Sequence, residues 1–157
     1  MSASHEAPVS AAGTPASGSA ATPVSKRVLA GVIGGLSGGI VFGVLMAMMG
    51  MLPMVASMVG STSAGVGILV HLMISVLIGL ALTLLVAGLL TGTLVKSALI
   101  GLVYGALWWV LGPLLIMPAM MGMPVFMIDG ASLASLMGHM IYGLILGLVA
   151  ALVLRRR

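Results

Sequence analysis

Residues 28–50 read VLAGVIGGLSGGIVFGVLMAMMG. No charge interrupts the stretch, and Gly31, Gly35, Gly39 and Gly43 recur at an unbroken four-residue spacing. A helix of this length covers the roughly 30 Å hydrocarbon core of a bilayer at 1.5 Å per residue. Four residues advance a helix by about 400°, so the glycines form one slowly drifting stripe along it. Small residues let two helix backbones approach closely, the main packing device where no water drives association. A strand is a poor reading of the same residues. They lack period-two alternation, and backbone groups in lipid must be satisfied within the element.

Three more apolar runs follow, at about 65–90, 97–117 and 132–154. The chain of 157 residues is 61% hydrophobic and 5% charged, with a mean hydropathy of +1.34. A soluble domain carries about a quarter charged residues, so the class implied is an integral membrane protein. The absence of cysteine excludes disulfides, thiolate metal sites and thiol nucleophiles. A net charge of +4 does not point to nucleic acid, because the charges flank apolar runs and form no stripe. Residues 1–25, rich in Ala, Ser, Thr, Pro and Gly, read as a disordered cytoplasmic tail. A signal peptide is disfavoured, since the apolar run after Lys26-Arg27 exceeds the roughly 7–15 residues of a signal's apolar core.

The remaining domain, 26–157, is expected to be an all-α, four-helix transmembrane bundle. Lys26 and Arg27 precede the first span, Lys96 lies between the second and third, and Arg155, Arg156 and Arg157 follow the fourth. The positive-inside rule places both termini in the cytoplasm and Asp129 outside, in a multi-pass protein of the cell (inner) membrane.

The chain also reads as two tandem hairpins, repeat one at 28–90 and repeat two at 97–154. Gly31 and Gly35 match Gly101 and Gly105. Met48-Met49-Gly50-Met51 matches Met120-Met121-Gly122-Met123, and His71 and Gly79 match His139 and Gly147. Two-helix units insert the same way round, which makes the repeat parallel. Gly39, Gly43, Gly143 and Gly147 complete the small faces expected to pack the helices. The long stripe of the first helix could instead join a second copy or another membrane protein.

His71 and His139 are the leading functional candidates. Each lies about 10 Å deep from its helix end at 1.5 Å per residue. Each precedes a small residue by four, as His71-Ser75-Gly79 and His139-Gly143-Gly147, so both should face the bundle interior. An ionisable residue inside a membrane is a functional-site hypothesis by default; the alternative is a neutral imidazole bonded to a backbone carbonyl as interhelical glue. Every methionine beyond Met1 falls in the outer half of this topology. Thioether and imidazole suit a soft ion such as Cu(I), which nominates Met73, Met137, Met140, Met120, Met121, Met48 and Met49 beside the histidines. Methionine is also an adaptable apolar filler. Asp129 with Ser132 should cap the fourth helix, as Ser61, Thr62 or Ser63 should cap the second. Trp108 and Trp109 read as bulky packing or lipid contacts, and Tyr142 shares a face with His139. The chain carries no nucleophile triad, phosphate loop or carboxylate pair.

The stretches 117–124, MPAMMGMP, and 138–143, GHMIYG, resemble a group of small uncharacterised bacterial membrane proteins. That group pairs an MMGMP-like loop with a GHxxYG helix. The resemblance spans about Val28 to Leu154, and the first copy departs from it at Val70-His71 and Ile74. It implies a four-helix membrane fold and no mechanism. The function expected is therefore that of a non-enzymatic membrane protein. Its candidate roles are Cu(I) handling, a structural or assembly subunit, and a proton or small-solute pathway.

Overall fold

The computed structural model describes residues 22–156. They form α1 (Val24–Met48), the short α2 (Leu52–Ser57), α3 (Ala64–Leu90) and α4 (Leu94–Leu111). A π-helical turn (Gly112–Ile116) and α5 (Met117–Met120) prolong α4, and α6 (Gly130–Arg155) follows. Four helical stretches are long and apolar enough to cross a membrane: α1, α3, the run Leu94–Met120, and α6. Most of the tail expected at residues 1–25 lies outside the described residues, and Val24 and Ser25 already belong to α1.

The bundle is organised around α1, which packs along both α3 and α6. α4 packs on α6, while α3 meets α4 and α6 only sparsely. α1 serves two neighbours because it carries glycine on two faces. Gly31, Gly35, Gly39 and Gly43 abut α3: a Cβ on Gly35 would stand 2.5 Å from the Ser75 carbonyl oxygen. Gly34 and Gly38 abut α6: a Cβ on Gly38 would stand 2.7 Å from the Tyr142 carbonyl oxygen. The long stripe is thus consumed inside the chain and is not open to a partner helix.

α4 and α6 pack in the same manner. A Cβ on Gly143 would lie 2.9 Å from Gly105 Cα, and one on Gly147 would lie 3.1 Å from Gly101 Cα. The register differs from the alignment of Gly31 with Gly101. Gly79 nests against Gly31 and Gly35, whereas Gly147 nests against Ser97 and Gly101. Gly101 therefore holds the place of Gly35, one helical turn from the position that sequence matching gives it. Packing selects the residues that let backbones touch, and Ser97 is small enough to stand where Gly31 does.

Helix ends follow local chemistry. Asp129 Oδ1 accepts from the Ser132 amide at 2.7 Å, and Ser132 Oγ accepts from the Asp129 amide at 2.8 Å, forming a capping box at α6. Thr93 caps α4 by accepting from the Lys96 amide at 3.2 Å. Ser63 occupies the cap position of α3, but its side chain makes no capping bond, contrary to the expectation for that helix. Pro113 lies within the π-helical turn, where a residue without an amide proton breaks the α-helical ladder.

The α1–α3 and α4–α6 connections differ from each other. Leu52, Val55 and Ala56 of α2 are buried, and the Leu52 carbonyl sits against Gly67 of α3. Residues 121–130 are exposed throughout.

The close seams make a clear prediction. Gly35→Leu should destabilise the protein by at least about 1–3 kcal/mol, the usual cost of overpacking. Gly88→Ala should not destabilise it, because nothing lies within 4 Å of a Cβ there. Thermal unfolding of the two variants in detergent micelles separates the cases.

Candidate functional site

His71 enters the α1–α3 seam because it lies on the small face Gly67, His71, Ser75, Gly79 of α3. It is 8% exposed. Its Nε2–H donates to the Gly39 carbonyl of α1 at 2.9 Å, made accessible by the glycine stripe. Ser75 Oγ in turn donates to the His71 carbonyl at 2.8 Å. His139 is tethered within its own helix: Nδ1–H donates to the Ser135 carbonyl at 2.8 Å. Each ring thus commits one N–H to a main-chain oxygen. A neutral imidazole keeps an in-plane lone pair on its other nitrogen.

The two histidines meet on a residue that sequence reasoning did not single out. Phe42 of α1 is buried, with its ring centroid 5.2 Å from that of His71 at an interplanar angle of 85°. It lies 4.8 Å from the ring of His139 at 67°. Both are edge-on contacts, the geometry aromatic rings favour. Phe42 is seated because Gly138 has no side chain; any Cβ there would collide with the phenyl ring. The signal was present in the sequence: Ala30, Gly34, Gly38 and Phe42 repeat every four residues on the second small face of α1.

The methionines divide differently. Met73 and Met137 are 58% and 59% exposed, on the outer surfaces of α3 and α6. Met48, Met49, Met120, Met121 and Met140 are exposed as well. None of the seven nominated methionines is buried, whereas His71 is buried and His139 half-buried. Met46 is buried, one turn beyond Phe42 on α1. Among the described residues there is no cluster of three or more His, Cys, Asp or Glu.

Further aromatic donors fill the space that α3 leaves toward α4 and α6. Tyr142 OH donates to the Ser75 carbonyl at 2.6 Å, and Tyr104 OH donates to the Ile78 carbonyl at 2.8 Å. Tyr142 therefore ties α6 to α3 and makes no hydrogen bond to His139. Trp109 is more than bulk: its Nε1–H donates to the Ser132 carbonyl at 2.7 Å, joining α4 to the start of α6. Trp108 packs edge-on to Tyr104 with centroids 6.1 Å apart. Its buried Nε1–H has no acceptor among the described residues.

Comparison with protein-family models, curated proteins and solved structures gives no match to this chain. The likeness drawn from the MMGMP loop and the GHMIYG helix rests on those residues alone.

Two substitutions probe the cluster. Tyr142→Phe should cost about 1 kcal/mol, typical of an interhelical hydrogen bond in a membrane. Gly138→Ala should lower stability further by unseating Phe42. Reversible unfolding in mixed micelles measures both, and a Gly138→Ala protein as stable as wild type would show that Phe42 is not held there.

Proposed function

We propose that the chain is a non-enzymatic membrane protein that binds a soft monovalent ion, Cu(I), between His71 and His139. The observation that supports this reading is the shared Phe42 contact of two imidazoles, each with one N–H tied to a main-chain carbonyl. Metal-binding histidines are ordinarily oriented in this way, with the second nitrogen presenting its lone pair. Ligand distances of about 2 Å require the two donor nitrogens of one ion to lie roughly 4 Å apart. The phenyl ring contacts both imidazoles, and a shared ion requires their free nitrogens to come within that distance of one another. Met46, buried on α1 one turn beyond Phe42, is the thioether this reading nominates to complete a soft ligand set. Under the positive-inside rule the pair lies toward the outer face, with the termini cytoplasmic. The two helix pairs, joined through Phe42, are read as parallel copies of one hairpin.

A second reading is favoured by the His71 bond to Gly39, which crosses from α3 to α1. It makes the histidines packing elements of a structural membrane subunit.

Anaerobic titration with Ag(I) as the Cu(I) surrogate distinguishes the two. The metal reading predicts stoichiometric binding that weakens at least about 100-fold in His71→Ala/His139→Ala. Loss of ligands should exceed the 10–100-fold typical of losing their hydrogen-bond partners. Met46→Leu should also weaken binding, whereas Met73→Leu and Met137→Leu should leave it unchanged. Binding indifferent to both histidines, in variants that retain helical ellipticity, assigns the pair to packing.

A further inference from the structure

We infer that the basic end of the bundle carries a site for one anionic phospholipid, with the headgroup at Lys96 and Arg155 and an acyl chain in the groove between α3 and α4. Gly92 lies in the loop joining those helices. Arg155, at the end of α6, reaches across to donate from Nη2 to the Gly92 carbonyl. The side-chain stem of Lys96 lies over the same residue, with Cδ 3.3 Å from where a Gly92 Cβ would stand. Residues from α4 and α6 thus bring two cations to one turn of backbone. Arg155 is not fully satisfied there, since its shielded Nε–H has no acceptor among the described residues.

The groove starts about one helical turn from Gly92 and Lys96, at Leu89 and Ile100. Leu82, Leu85 and Leu89 of α3 form one wall, and Ile100, Val103 and Leu107 of α4 form the other. Lys96 lies on the α4 stripe that continues through Ile100, Val103 and Leu107, at spacings of three and four. The groove exists because α3 and α4 touch only sparsely, and its outer lip is open: Val103 is 72% exposed and Leu85 82%. A continuous apolar channel below paired cations matches the two halves of a phospholipid.

Charge selects an anionic headgroup. Lys26, Arg27, Lys96, Arg155 and Arg156 all lie at this end, linked by Lys26 Nζ donating to the Arg156 carbonyl and Arg155 to Gly92. Asp129, the acidic residue among those described, caps α6 at the opposite end. No carboxylate among the described residues competes for the two cations. Basic pockets between membrane helices on the cytoplasmic side are suited to acidic lipid headgroups.

The test delipidates the full chain in a neutral detergent and titrates phosphatidylglycerol or phosphatidylcholine of identical acyl chains. Glycerol 3-phosphate serves as the headgroup alone. Native mass spectrometry counts retained lipid. We expect one phosphatidylglycerol retained in preference to phosphatidylcholine, with glycerol 3-phosphate not retained. Lys96→Gln should weaken retention about fivefold, the equivalent of one cation near a charged surface, and Lys96→Gln/Arg155→Gln should weaken it more. Val103→Trp, which fills the groove without touching the cations, should also weaken it. Equal retention of the two lipids overturns the headgroup assignment. Retention of glycerol 3-phosphate at equal strength reassigns the site to a free phosphate and overturns the lipid. Retention unaffected by Lys96→Gln and Val103→Trp overturns the location. Lys96 makes no side-chain hydrogen bond among the described residues, so its variant keeps the test valid should loss of Arg155 prevent folding.

Discussion

In lipid no hydrophobic effect draws one apolar helix to another, so association depends on how closely backbones approach and on the polar bonds they then exchange. α1 meets that constraint on two sides. One face, Gly31 to Gly43, lies against α3, and the other, Gly34 and Gly38, lies against α6. The rest of the arrangement follows from this double contact. α4 reaches the bundle through α6, and α3 and α4 are left apart with a groove between them. The second face of α1 ends at Phe42, a large residue seated by Gly138, and this brings histidines from two different helices onto one ring.

A second constraint is the shortage of acceptors. The chain has six basic residues and only two acidic ones, and its side-chain donors turn to main-chain carbonyls. His71, His139, Tyr104, Tyr142, Trp109 and Arg155 all do so. A carbonyl already bonded in a helix still has a second lone pair, so these cross-links form without breaking the ladder. Among the described residues the same shortage leaves the basic end without a side-chain counter-charge, which is the physical basis for assigning it an anionic lipid.

Much of the fold was legible in the sequence. The four spans follow from uninterrupted apolar runs, and the observed helices begin and end within a few residues of them. Asp129 and Ser132 read correctly as a cap because a capping box is a local pattern. The inward placement of His71 followed from its four-residue spacing to Ser75 and Gly79. Patterns whose meaning depends on a neighbouring helix are not legible in the same way. Ser63 occupies its cap position without making the bond. Tyr142 shares a helix face with His139 but bonds to Ser75 of α3. Ligand chemistry groups the nominated methionines with His71 and His139, yet all seven are exposed.

The sequence by itself determined the spans, the basic end and the small faces, because these depend on composition and on spacing along one helix. Tertiary structure alone decided which neighbour each face meets. It decided that Gly147 nests on Ser97 and Gly101, that Phe42 contacts both histidines, and that Met46 rather than Met73 is buried. The physical reason is the solvent. In water a polar face marks the outside of a helix, whereas in lipid both the buried and the exposed faces are apolar. Helix rotation is then fixed by contacts between residues distant in the chain, and spacing within one helix does not record them.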